Sequence, residues 1–278
     1  MSKRTVRSWI ARQAQRKRVC FTIEELEGAF PNTTPSIRKH GLIAACKGGA
    51  LIHAWQGLYL LVPREYRETG AVPPVEYIGE LMAYLGKPYC VALLDAAAFY
   101  GVARPENGTP FAVMTSTPRP RCTIEGGVPV EFISKREMAG RIAPSLVRTM
   151  PTKNGSVVVS SPEYTVCTLV QHAIDLGGLA CMVPVIQGLM PSCDFGKLPP
   201  TLKRYVPQTC LQRLGFILER VLGNAEAAER LYRFMRPART PFAVTKLVPN
   251  LPMAQCPFDE RWCISVNEDL APVPQQEA

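Results

Sequence analysis

The sequence predicts an α+β protein in two parts: a small basic N-terminal unit followed by a larger mixed α/β domain. Three observations lead there. Positive charge is concentrated at one end, apolar periodicity alternates between helical and strand spacing, and Pro and Gly punctuate the chain often. Of 278 residues, 47% are hydrophobic and 20% charged, enough to bury a sizeable core in one large or two ordinary domains. The 26 prolines are about twice average usage and favour short elements joined by defined turns.

The net charge of +9 is unevenly spread. Residues 1–70 hold 12 Lys/Arg against 5 Asp/Glu, whereas residues 71–278 hold 20 against 18. Lys3, Arg4, Arg7, Arg12, Arg16, Lys17 and Arg18 all precede the first acid, Glu24. A helix over Thr5–Arg16 turns Trp9 and Ile10 inward and sets Arg12 and Arg16 as i,i+4 neighbours on an outer face. Such a stripe neutralises phosphates and releases counterions. Alone, it also fits a solvated basic arm.

Thr22 opens a second helix as N-cap, with Glu25 completing a capping box and Leu26 and Phe30 sharing a face. Pro31-Asn32 breaks it. Thr34 and Pro35 then start a third helix, with Pro at the first helical position. Two short helices across a tight turn make a helix-turn-helix, whose second helix enters the major groove N-terminus first. Thr33, Thr34, Ser36, Arg38, Lys39 and Lys47 are the groups expected at DNA. Ile37, Gly41 and Ala44–Ala45 are expected to pack inward, leaving Leu42 and Ile43 partly exposed. Gly48-Gly49 ends the helix, and Leu51–Ala54 and Leu58–Val62 form a hairpin around Trp55-Gln56-Gly57. That hairpin is a wing with Gln56 at its tip; Trp55 fits contact and packing equally. Residues 1–66 thus read as a winged helix-turn-helix domain for double-stranded DNA.

A Pro-rich linker is expected over 67–76, a second domain over 77–270 and a frayed tail over 271–278. In the second domain, helices are expected from Tyr77 to Leu85, over Tyr89–Tyr100, over Tyr164–Leu176 after the cap Ser161-Pro162-Glu163, and, after a break at Gly177-Gly178, through Leu189. Thr201–Tyr205, Cys210–Leu222 and Ala225–Arg236 follow as further helices. Strands are expected at Phe111–Thr115 and Val128–Ile133 around a turn at Gly126-Gly127, then at Val157–Val159, Val244–Leu247 and Trp262–Asn267.

Nothing in the chain points to catalysis. Phosphate-binding loops, nucleophile elbows and zinc-helix patterns do not occur. The ten cysteines are scattered, read as reduced core thiols, and include no Cys-x-x-Cys. His40, His53 and His172 are too isolated for a metal site, Asp175, Asp194, Asp259 and Asp269 share no spacing, and Glu131 with Lys135 is a chance-level pair. No metal or cofactor is expected, and the large domain reads as a binding module rather than an enzyme. With no signal peptide or membrane-spanning run, a cytoplasmic, nucleoid-associated protein is expected.

Five blocks in order resemble the AbiEi family of type IV toxin–antitoxin antitoxins. They are Gly57–Pro63, Gly86–Gly101, Ser161–Val170 with Gly177–Leu179, Arg213–Glu219 and Asp259–Asn267. The resemblance implies an N-terminal winged helix that represses its own operon, by binding inverted repeats, and a C-terminal domain that supplies antitoxicity. It also implies a nucleotidyltransferase-like toxin encoded alongside, with no stable complex between the two. The alternative is a stand-alone transcriptional regulator whose large domain senses a ligand or partner.

Overall fold

The computed structural model describes residues 5–102, 109–118, 120, 128–153, 155–236, 242–253 and 255–270. The expected turn at Gly126-Gly127 and the tail 271–278 lie outside these residues. The chain divides into two units. One comprises Met1–Cys90, Glu106–Ile142 and Thr149–Val158; the other comprises Val91–Pro105, Ala143–Arg148 and Val159–Ala278.

The first unit begins with helix α1, Val6–Gln15, whose entry is a reciprocal cap: Ser8 N donates to Thr5 Oγ1 and Thr5 N to Ser8 Oγ. Strand β1, Cys20–Thr22, leads into α2, Ile23–Ala29. There the expected capping box forms, with Glu25 N donating to Thr22 Oγ1 at 3.3 Å and Thr22 N to Glu25 Oε2 at 2.9 Å. Helix α3 spans Pro35–Lys47 with Pro at its start, and strands β2, Leu51–Trp55, and β3, Leu58–Leu61, follow. The sheet order is β1-β3-β2, fully antiparallel, with Cys20 opposite Leu60 and Leu51 opposite Leu61. Sequence periodicity missed β1, which is three residues long and takes its identity from pairing with β3. Trp9 anchors the core, its ring 5.0 Å from Phe21 and edge-on to it, with Ile10, Leu26, Phe30 and Leu51 around it.

The phase expected for α3 is corrected. Leu42 is 3% exposed and lies in the core, while Ile37 and Ile43 stand 59% and 42% exposed. The cause is the crossing with α1. A Cβ at Gly41 would sit 2.8 Å from Val6 Cβ, so the helices meet at the glycine. That contact rotates Arg38, Leu42 and Ala45 toward the core (i, i+4, i+7) and Ile37 away from it.

Within the expected linker Val72 and Pro74 are buried, and α4, Ile78–Tyr84, then buries Ile78, Leu81 and Met82. The helix expected over Tyr89–Tyr100 begins instead as strand β4, Tyr89–Val91, and only Leu93–Phe99 is helical, α5. A continuous apolar run cannot by itself separate a buried strand from a buried helix. Strands β5, Phe111–Thr115, and β6, Val130–Ser134, exist near the expected places but run parallel, Phe111 opposite Val130. Parallel pairing needs a crossover rather than a tight turn. Strands β7, Val147–Thr152, and β8, Gly155–Ser160, complete a sheet of order β6-β5-β4-β8-β7; β7 was not expected.

The second unit is largely helical. Ser161 caps α6, Pro162–Gln171, its Oγ accepting from Tyr164 N, and Gly177-Gly178 at φ of 91° and 104° separates it from α7, Leu179–Leu189. Helices α8, Leu202–Tyr205, and α9, Gln208–Phe216, follow; a π turn over Ile217–Val221 then precedes α10, Ala225–Met235. Short strands β9, Thr245–Lys246, β10, Phe258–Asp259, and β11, Ile264–Ser265, form a small mixed sheet ordered β10-β11-β9. Buried Trp262 lies against α9, where Gly215 leaves the room: a Cβ there would stand 2.1 Å from the indole ring. Among the described residues, no helix is long and apolar enough to cross a membrane.

Candidate nucleic-acid interface

Two helices of the first unit present the predicted residues. On α1 and the turn after it, Arg7, Arg12, Arg16, Lys17 and Arg18 are all exposed, because Val6, Trp9, Ile10 and Gln13 take the inner face. Lys3 and Arg4 lie outside the described residues. Arg18 is engaged: its Nη2 reaches both oxygens of Glu25, at 2.7 and 2.9 Å, tying the basic turn to the N-terminus of α2. Arg7, Arg12, Arg16 and Lys17 form no ion pair among the described residues.

On α3, Thr34, Ser36 and Lys39 are exposed near the N-terminal end, Thr33 is half-buried and Lys47 is exposed at the far end. Thr34 holds the capping position, but its side chain makes no cap bond. Arg38 departs from the outward position expected of it. Its Nη1 donates to Phe30 O at 3.2 Å and to Thr33 O, its Nη2 meets Glu27 at 3.0 Å, and its side chain is only 11% exposed. The guanidinium therefore ties α3 to the end of α2 and to the turn between them. Its inward phase, shared with Leu42, is the reason.

The outward face of α3 also holds Ile37, which was expected inward, Ile43, which was expected partly exposed, and His40, beside Ser36 and Lys39. His40 Nδ1 stands 2.7 Å from Ser36 O, and no acidic residue occurs in the helix. Gly41 was placed inward from the sequence, but its close approach to Val6, which sets the phase of the helix, is a tertiary contact.

The hairpin turn is short. Gly57 at φ +80° takes the left-handed position it requires, and Gln56 is exposed at the tip. The turn is anchored on both sides: Ile23 N donates to Gly57 O at 2.8 Å, and the Tyr84 hydroxyl donates to Gln56 O at 3.0 Å. Trp55 is half-buried beside it. At the base of α2, the Glu24 carboxyl is held below its ordinary range by its own backbone N–H and by the Thr22 hydroxyl.

Several titratable groups of the rest of the chain carry local structural bonds. Asp194 accepts from Gly196 N, Asp259 accepts from Trp262 N and Arg220 Nε, and His172 lies 3.7 Å from Asp175. Glu131 is exposed while Lys135 is buried. Among the described residues no group of three His, Cys, Asp or Glu could hold a metal ion. Burial pushes the Cys20 and Cys90 thiols up to about 12, which keeps them protonated. Cys181, expected in the core, is instead exposed, because α7 buries the face of Leu179, Met182, Val183 and Ile186.

Comparison with known proteins adds to this geometry. Residues 90–220 match the family model of the AbiEi antitoxin C-terminal domain. No curated protein matches the chain. Among solved structures, the chain is similar in fold to the RV2827C protein from Mycobacterium tuberculosis, with a TM-score of 0.64 at 14% identity. That likeness covers 92% of this chain and 88% of the other. The likeness to the AbiEi antitoxin family therefore rests on residues 90–220, the stretch similar to that family's C-terminal domain.

Proposed function

We propose that the protein is the antitoxin of a type IV toxin–antitoxin system and represses its own operon through an N-terminal winged helix-turn-helix domain. The observation that carries the DNA-binding half is an uncompensated basic surface. Exposed Arg7, Arg12, Arg16 and Lys17 on α1 and the turn after it, and Lys39 on α3, lack carboxylate partners among the described residues, in an N-terminal segment of three helices and a three-stranded sheet of β1-β3-β2 order. Residues 1–66 act as this domain, 67–76 as the linker, and 77–270 as the domain that supplies antitoxicity.

In this proposal α3 lies in the major groove. Ser36, Lys39 and His40 meet base edges or phosphates, and Ile37 and Ile43 meet thymine methyl groups. Arg38 positions α3 from behind instead of touching DNA. Lys3, Arg4 and the α1 arginines follow the phosphates, and Gln56 touches the backbone beside the groove. The protein works in the cytoplasm on the nucleoid, without cofactor or catalysis. Its partners are operator DNA with inverted repeats and a nucleotidyltransferase-like toxin with which it makes no stable complex.

The DNA-binding half is tested by titrating the protein into its own promoter duplex and a random duplex while salt rises from about 50 to 200 mM. The promoter is expected to bind more tightly, with affinity falling steeply as salt rises. Ile37→Ala and Lys39→Ala should narrow the gap between the two duplexes. Absence of any salt-sensitive preference removes the repressor role. The antitoxin half is tested by co-expression with the neighbouring toxin, and failure to rescue growth removes it.

A further inference from the structure

The second unit contains a pocket of about 180 Å³ that DNA binding does not use. It lies at the C-terminal end of α6 and the start of α7, closed by the segment after β9. Val170, Ala173, Leu179 and Leu251 give it apolar walls, and Arg213 and Glu268 line it as opposite charges. Ile174, half exposed, stands at its rim.

The charged pair is unusual in what it lacks. Arg213 is held by two bonds, Nε to Lys246 O at 2.8 Å and Nη2 to Thr245 Oγ1 at 3.1 Å, with no carboxylate partner among the described residues. Glu268 Oε2 is buried and has no hydrogen-bond partner among them. A buried acceptor without a donor is costly, and a ligand that supplies one recovers that cost. The wall is also braced in advance. Asn267 Nδ2 donates to Val248 O and Leu251 O, its Oδ1 accepts from Val248 N, and Lys246 Nζ donates to Leu251 O.

Size limits the occupant. Pockets for drug-sized ligands run to about 300–1,000 Å³, whereas a cavity of about 150 Å³ accepts benzene. The space here suits a branched chain or one ring with a small head group, and is too small for a nucleotide. We propose that this pocket binds a free apolar α-amino acid. Its carboxylate meets Arg213, its ammonium meets Glu268, and its side chain lies against Val170, Ala173 and Leu179. This site makes the large domain a sensor of small zwitterions, whether or not the N-terminal unit binds DNA.

The test is calorimetry and thermal unfolding of the full chain with L-leucine, L-methionine and L-phenylalanine. Isoamylamine, 4-methylpentanoate and L-glutamate each remove one recognised feature. At least one apolar amino acid should bind saturably, with the three controls about tenfold weaker or worse. Glu268→Gln should weaken that binding about tenfold by removing the charge opposite the ammonium. Ile174→Trp, at an exposed position, should obstruct the mouth and weaken binding while leaving the unliganded melting temperature unchanged. No saturable binding up to about 10 mM, equal binding of the controls, or unchanged binding in either variant overturns the proposal.

Discussion

The cations of α1 and α3 and those of the C-terminal helices are the same residue types in opposite electrostatic settings. Arg220 lies 2.7 Å from Asp259, Arg230 2.5 Å from Glu226, and Arg233 2.7 Å from Glu229. Arg261 bridges Glu219 at 3.0 Å and Glu229 at 2.5 Å, and stacks 4.7 Å from the centre of the Tyr232 ring. Arg7, Arg12, Arg16, Lys17, Lys39 and Lys47 have no such neighbours among the described residues. Locally paired charges cancel their own field, so their role is positional. Unpaired charges add to a field that an external polyanion can satisfy. The contrast teaches that Arg content alone says little: what decides its use is whether the fold brings a carboxylate to it.

The largest effect should come from breaking the paired network. Glu219 accepts from Arg261 Nη1 at 3.0 Å and from the indole Nε1 of buried Trp262 at 2.7 Å. Glu219→Ala should lower stability by about 3 kcal/mol in urea unfolding, since it strands a buried N–H and takes one carboxylate from Arg261. A loss no greater than that of Arg16→Ala would erase the distinction. Next, Gly41→Ala should cost about 2 kcal/mol, because its Cβ meets Val6 where α1 and α3 cross. It should also weaken DNA binding by shifting α3. Unchanged stability in urea would mean that the crossing is not tight.

A smaller effect is expected at the α2 cap. Thr22→Ala removes the side-chain acceptor for Glu25 N and should cost about 1 kcal/mol, read in the same unfolding experiment. Smallest of all in stability is the double change Arg12→Ala with Arg16→Ala, at under about 0.5 kcal/mol. Its signature lies elsewhere: the slope of log affinity against log salt should fall by about 2 on any duplex. An unaltered slope would show that this face does not follow phosphates.

Much of the local structure was legible. The Thr22/Glu25 box, Pro35 at the start of α3, the Ser161 cap and the Gly177-Gly178 break act within a few residues, so chain order alone reveals them. The basic stripe was legible because α1 has one unambiguous apolar face. On α3 the candidate site was only half legible. Its apolar residues surround the helix, and periodicity allowed Ile37 or Leu42 to face inward. Strands β1, β4, β7 and β10 were missed for a related reason: short strands exist only through partners elsewhere in the chain.

What the sequence by itself determined, then, is where several helices begin, that positive charge gathers in the first quarter, and that phosphate-binding-loop, nucleophile-elbow and zinc-helix patterns do not occur. Caps, breakers and composition are local, and their free energies do not wait for the fold. Only the tertiary structure decided which side of α3 faces outward, that Arg38 braces rather than reaches, that β5 and β6 run parallel, and that Arg213 and Glu268 line one pocket. Those outcomes depend on contacts between distant residues, such as Gly41 on Val6. A rotation of about 100° per helical residue separates a core side chain from an exposed one.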